Sequence, residues 1–224
     1  MTHAPGPQAP SRRRLVVTDV DSTFIQQEVI ELLAEHAGTR DQVAAVTERA
    51  MRGELDFAAS LRERVATLAG VPVGALDDVR AAVVLSPGAA DLVAECHRRG
   101  WAFGLVSGGF EEVVGPLAAS LGITRVRANR LEIADGVLTG RTVGTVVDRS
   151  VKAATLREWA DAEGVALADT VAVGDGANDL DMIAAAGVGV AYRAKPVVRA
   201  QAGHAVDGRL DEVLEIVDRL TPHA

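Results

Sequence analysis

From residue 86 to residue 206 short apolar runs alternate with helical patterns, and few architectures accommodate that order. The runs are AFGLV at 102–106, TVAV at 170–173, VGVA at 188–191 and HAV at 204–206, with a first strand earlier, at 14–20. Helical spacing fills 88–99, 110–120, 151–163 and 177–186. A strand that returns parallel to its neighbour needs a crossover, so the expected class is α/β: a Rossmann-like core whose parallel sheet is flanked by helices. A hairpin is expected around Asp135-Gly136.

Residues 26–83 break this rhythm. They hold helical stripes, Val29, Ile30, Leu33 and Ala37, then Phe57, Leu61, Val65 and Leu68, and no strand signal. The segment reads as a helical cap inserted after the first strand, with residues 14–25 and 84–224 forming the core and 1–13 a disordered tail. Ser86 is expected to N-cap the helix that restarts the core, with Pro87 at its first position.

Composition narrows the function. A formal net charge of −8 and 3% aromatic residues argue against a nucleic-acid partner. No run approaches the length of a membrane helix, and too few apolar residues follow Arg12–Arg14 for an export signal, so a soluble protein without a membrane partner is expected. The single Cys96 fits packing in a reducing cytoplasm. Any phosphate site must be built locally, from a metal ion, helix N-termini and a few cations.

Ligands of an open parallel sheet gather beyond the carboxyl ends of its strands, and chemistry-bearing residues cluster there. Asp19 and Asp21 follow the first run; alone, they also suit a turn or a cap. Ser107-Gly108-Gly109 follows the second, where free amides bind anions, although an ordinary strand-to-helix turn would look similar. After TVAV comes GDGAND, whose Asp175, Asn178 and Asp179, with the nearby Asp181, supply more oxygen ligands than a turn requires. Lys152, one of only two lysines, follows Ser150, the expected N-cap; a cation there opposes the helix dipole and calls for a nearby anion.

In this order the four clusters resemble the motifs of the haloacid dehalogenase superfamily of phosphohydrolases. More closely, DVDSTFIQQEVIELLAEHAG, AMRGELDFAASLRERV, LSPGA, SGGF, ANRLEI and GDGANDLDMI resemble the phosphoserine phosphatase family. The resemblance implies a haloacid dehalogenase core with an inserted cap and a small phosphomonoester substrate. It makes Asp19 the nucleophile and Asp21 the acid and base, with Mg²⁺ held by Asp19, the Asp21 carbonyl, Asp175 and Asp179. Ser107, Gly108, Lys152 and Asn178 would hold the phosphoryl group. In the cap Glu28 would meet an ammonium and Arg64 a carboxylate, with Met51 and Phe57 as walls.

Val20 stands where such enzymes most often carry Met, its side chain pointing away from the acids. No room is expected for the regulatory domain of some longer relatives. The shared motifs leave open transfer to another acceptor alcohol such as homoserine. A non-catalytic phosphate-binding protein is disfavoured, because no expected catalytic group is missing.

Overall fold

The computed structural model describes residues 13–51 and 54–220, the Met51 side chain excepted. The tail expected over 1–13 therefore lies, apart from Arg13, outside the described residues. Seven strands form one sheet: β1 (Leu15–Thr18), β2 (Ala102–Phe110), β3 (Arg125–Ala134), β4 (Val137–Val143), β5 (Thr170–Gly174), β6 (Val188–Tyr192) and β7 (His204–Val206). Their order is β4-β3-β2-β1-β5-β6-β7, parallel except for the β3–β4 hairpin, which turns at Asp135-Gly136.

The helices are α1 (Val29–Ala37), α2 (Arg40–Met51), α3 (Phe57–Ala66), α4 (Ala75–Ala82), α5 (Ala89–Arg98), α6 (Glu111–Ser120), α7 (Arg149–Glu163), α8 (Leu180–Ala185), α9 (Pro196–Arg199) and α10 (Glu212–Leu220). Strand alternation assigns the faces. Val16 joins a core with α5, α6 and α10, whereas Leu15 and Val17 turn toward α7 and Met182 of α8. Burial on both faces is why β1 reads as an unbroken apolar run. Among the described residues no helix is long and apolar enough to cross a membrane.

Between β1 and α5 the described residues form four helices. Helix α1 stops at Gly38, whose φ of 67° is left-handed, and α3 starts at Asp56, whose carboxylate accepts the Ala59 amide at 2.6 Å. Leu33, Leu61, Val65 and Leu68 belong to the same buried cluster as Val16 and Phe103, so these helices share an apolar interior with the sheet. The loop after α3 is also pinned to the hairpin: Gly70 N donates to Leu138 O at 2.8 Å, Leu138 N to Val71 O at 2.8 Å and Val73 N to Gly136 O at 2.9 Å.

Three local expectations need correction. Ser86 is not an N-cap: its amide donates to Phe24 O at 2.9 Å, and α5 begins after Gly88, which adopts φ 83°. Ser150 lies inside α7, whose N-cap is Asp148; that carboxylate, the stronger acceptor, takes the Val151 amide at 2.9 Å and the Ser150 hydroxyl at 2.7 Å. Strand β2 runs on to Phe110 instead of ending at 106, but with an irregularity. Val106 pairs with Arg127 and Phe110 with Asn129, so Ser107, Gly108 and Gly109 bulge opposite the single residue Ala128.

Candidate active site

The turn after β1 begins with the Asp19 amide donating to Val173 O at 2.9 Å, which carries the ladder one residue past the strand. Val20 O then accepts from the amides of Thr23, Phe24 and Ile25 at 3.2, 2.8 and 2.9 Å, and Ser22 takes a left-handed φ of 57°. Val20 is fully buried in the main core, which fits its side chain pointing away from the acids. Asp19 and Asp21 both line a cavity of about 740 Å³ at the carboxyl end of the sheet.

Lys152 is completely buried, and its Nζ donates to Asp19 Oδ1 at 2.5 Å and Asp179 Oδ1 at 2.7 Å. Burial works against its charge, but Asp179 and Asp19 outweigh burial and hold the ammonium above its ordinary pKa. The other Asp179 oxygen accepts the Gly176 amide at 3.0 Å, and Asp175 Oδ1 accepts the Thr23 hydroxyl at 3.0 Å. Burial, then the Asp179 charge, pushes Asp175 up to about 6; burial and the same neighbour raise Asp19 despite Lys152.

Carboxylate oxygens of Asp19, Asp175 and Asp179 all lie within 4.8 Å of one another. Three carboxylates thus face one ammonium. An all-oxygen donor set with surplus negative charge fits a divalent hard cation. Asp21 is held differently: Oδ2 accepts the Val29 amide at 3.3 Å while Oδ1 is buried without a partner. Burial and the neighbouring Glu28 charge push its carboxyl up to about 8.

The bulge of β2 closes one wall. Gly108 and Gly109 line the cavity; Ser107 is fully buried behind them, its Oγ accepting the Gly109 amide at 2.8 Å. A side chain at either glycine would crowd the site. A Cβ on Gly108 would come within 2.9 Å of Phe57 Cζ, and one on Gly109 within 3.1 Å of the Asp21 carboxylate.

Glu28, Phe57, Arg64 and Asn178 also line the cavity. Ser22 donates its hydroxyl to Glu28 Oε1 at 2.7 Å. Arg64 is half-buried, unlike the exposed Arg62, and desolvation lowers its pKa against the pull of Glu28 and Asp21. The expected wall Met51 falls, by its side chain, outside the described residues. Asp181 stands apart, paired with Arg149 at 2.5 Å.

Sequence reading gave no role to Thr23, Ser22 or Asn129. The first two lie in the DVDST stretch, where two hydroxyls beside two acids were the available signal. Asn129 gave none.

The haloacid dehalogenase-like hydrolase family model matches residues 16–184. A phosphoserine phosphatase of Streptococcus thermophilus is 52% identical over 207 residues, covering 92% of this chain and 96% of its own. One of Streptomyces coelicolor is 57% identical over 206 residues; this chain spans 50% of its length. A solved phosphoserine phosphatase, described as a phospho-aspartyl intermediate analogue, superposes with a TM-score of 0.86 at 37% identity, over 92% of this chain and 99% of that one. The chain belongs to the haloacid dehalogenase-like hydrolases, and its similarity places it with the phosphoserine phosphatases of that family.

Proposed function

We propose that this protein hydrolyses O-phospho-L-serine to serine and phosphate through a phosphorylated Asp19. The observation that carries the reading is that Asp19 and Asp21 line the same cavity as Glu28 and Arg64. Phosphoserine carries an ammonium and a carboxylate besides its phosphate, and a half-buried acid and base supply one partner for each.

The Asp19 oxygen not held by Lys152 attacks phosphorus as the bond to the serine oxygen breaks. Asp21, kept protonated near neutral pH by burial and Glu28, gives its proton to the leaving alkoxide. It then takes a proton from water, whose oxygen attacks the phosphorus and releases phosphate and free Asp19. Lys152 holds the Asp19 carboxylate in place and, with Ser107, the Gly108 amide and Asn178, receives the phosphoryl oxygens. Mg²⁺ would be held by Asp19, the Asp21 carbonyl, Asp175 and Asp179, and when bound neutralises charge on the phosphoryl group.

Residues 26–83 act as the cap over a core of 14–25 and 84–224, with Phe57 laid against Gly108. The cytoplasm suits the single buried thiol. The test is phosphate release from L-phosphoserine, phosphothreonine and p-nitrophenyl phosphate, with Mg²⁺ and with chelator. Phosphoserine cleaved orders of magnitude faster, and only with metal, supports the assignment. Cleavage of the generic ester alone removes the substrate while keeping the chemistry.

A further inference from the structure

The bulge of β2 leaves the ladder for three residues, and a loop so released needs something else to set its position. Asn129 lies where the register resumes, paired with Phe110, and is only 2% exposed. Its Nδ2 donates to Gly108 O at 2.8 Å, and its Oδ1 accepts the Val147 amide at 2.8 Å. The two partners fix the amide's orientation, because a carbonyl can only accept and a backbone amide only donate. Val147 is buried and directly precedes Asp148, the N-cap of α7. Four residues beyond that cap, Lys152 reaches Asp19. One side chain therefore spans the bulged loop and the start of the helix that carries the buried cation.

We propose that Asn129 is a positioning residue: its amide sets the separation between the Gly108-Gly109 backbone and the α7 terminus, and so the seat of the phosphoryl group. The inference rests on the phosphatase reading above. A side chain must donate at one end and accept at the other across this gap, which an ionised carboxylate or a hydroxyl of shorter reach does not do. The clamp touches the phosphate side of the cavity, so its loss affects every phosphate ester alike, whatever the alcohol.

The test uses Asn129→Ala and Asn129→Asp, the second keeping the shape and the acceptor for Val147 while placing a carboxylate against the Gly108 carbonyl. Dissociation constants for inorganic phosphate are measured by equilibrium dialysis with Mg²⁺. kcat and KM are measured for phosphoserine and p-nitrophenyl phosphate, and the folded fraction by circular dichroism. Both variants, per folded molecule, are expected to bind phosphate at least about tenfold more weakly. They should also lose kcat/KM on both esters by a common factor of roughly ten to a hundred. Phosphate binding within twofold of the unsubstituted protein in either folded variant overturns the clamp, as does a loss confined to phosphoserine. If Asn129→Ala does not fold, Asn129→Asp decides alone. An unsubstituted protein that binds phosphate yet cleaves neither ester overturns the phosphatase reading instead, and the binding comparison still judges the clamp.

Discussion

Lys152 Nζ sits 2.5 Å from Asp19 Oδ1 with its side chain wholly excluded from solvent. A buried ammonium is tolerated because Asp179 Oδ1 lies at 2.7 Å on its other side. Removing it leaves two buried carboxylates facing each other. Lys152→Met should therefore destabilise the metal-free protein by about 3–5 kcal/mol, the usual cost of stranding a buried charge. Thermal unfolding in chelator measures this, and an unchanged melting temperature would refute the structural role of the pair. Added Mg²⁺ should recover part of the loss.

Asp19→Asn keeps the shape of the side chain but removes its nucleophilic oxygen. Phosphate release should fall by at least about a thousandfold, the scale on which covalent catalysts respond to loss of the nucleophile. Acid-quenched samples should hold phosphorylated protein only when residue 19 is Asp. Near-normal turnover in the variant would remove Asp19 from the chemistry.

Asp19, Asp175 and Asp179 repel one another, and the Lys152 charge compensates only in part. Mg²⁺ should raise the melting temperature in a concentration-dependent way, by the equivalent of about 2.7 kcal/mol at a hundred times its dissociation constant. Asp175→Asn should abolish most of that shift. A melting curve indifferent to Mg²⁺ would exclude this cluster as its site.

Architecture was legible because it is written in local periodicity. Leu15 and Val17 pack toward one face and Val16 toward the other, and such double burial marks a parallel central strand without knowledge of its neighbours. Asp19, Asp175 and Lys152 were legible as a set because each follows a strand or opens a helix at the same end of the sheet. Capping was misread at Ser150 because Asp148 offers the same geometry two residues earlier with a stronger acceptor. The role of Asn129, inside the ANRLEI stretch, was unreadable for another reason: its partners, Gly108 and Val147, lie far away in sequence, and no periodicity records a contact of that range.

Cys96 is the one thiol, and it packs fully buried in α5. Burial pushes its pKa up to about 12, so the folded protein holds this proton more tightly than the unfolded chain does. Its contribution to stability is then complete below the unfolded value of about 8.5 and is lost as pH rises from there toward 12. At pH 8 the folded protein should resist dithionitrobenzoate and the denatured protein should react promptly. Fast labelling of the native state would mean that α5 opens readily.

Arg64 and Glu28 line the same cavity as the acids, and desolvation already works against the Arg64 charge. A guanidinium kept half-buried at such a cost has a purpose if a carboxylate arrives to meet it. Arg64→Ala should raise KM for phosphoserine by roughly ten- to a hundredfold, the equivalent of about 1.5–3 kcal/mol for one charged hydrogen-bonding group. p-Nitrophenyl phosphate has no carboxylate and should be affected far less, so the ratio of the two specificity constants is the quantity to measure. Glu28→Gln should move that ratio in the same direction through the ammonium. Equal losses on both esters would mean that Arg64 supports the cavity wall and does not read the substrate, and the amino-acid end of the pocket would have to be sought on other residues.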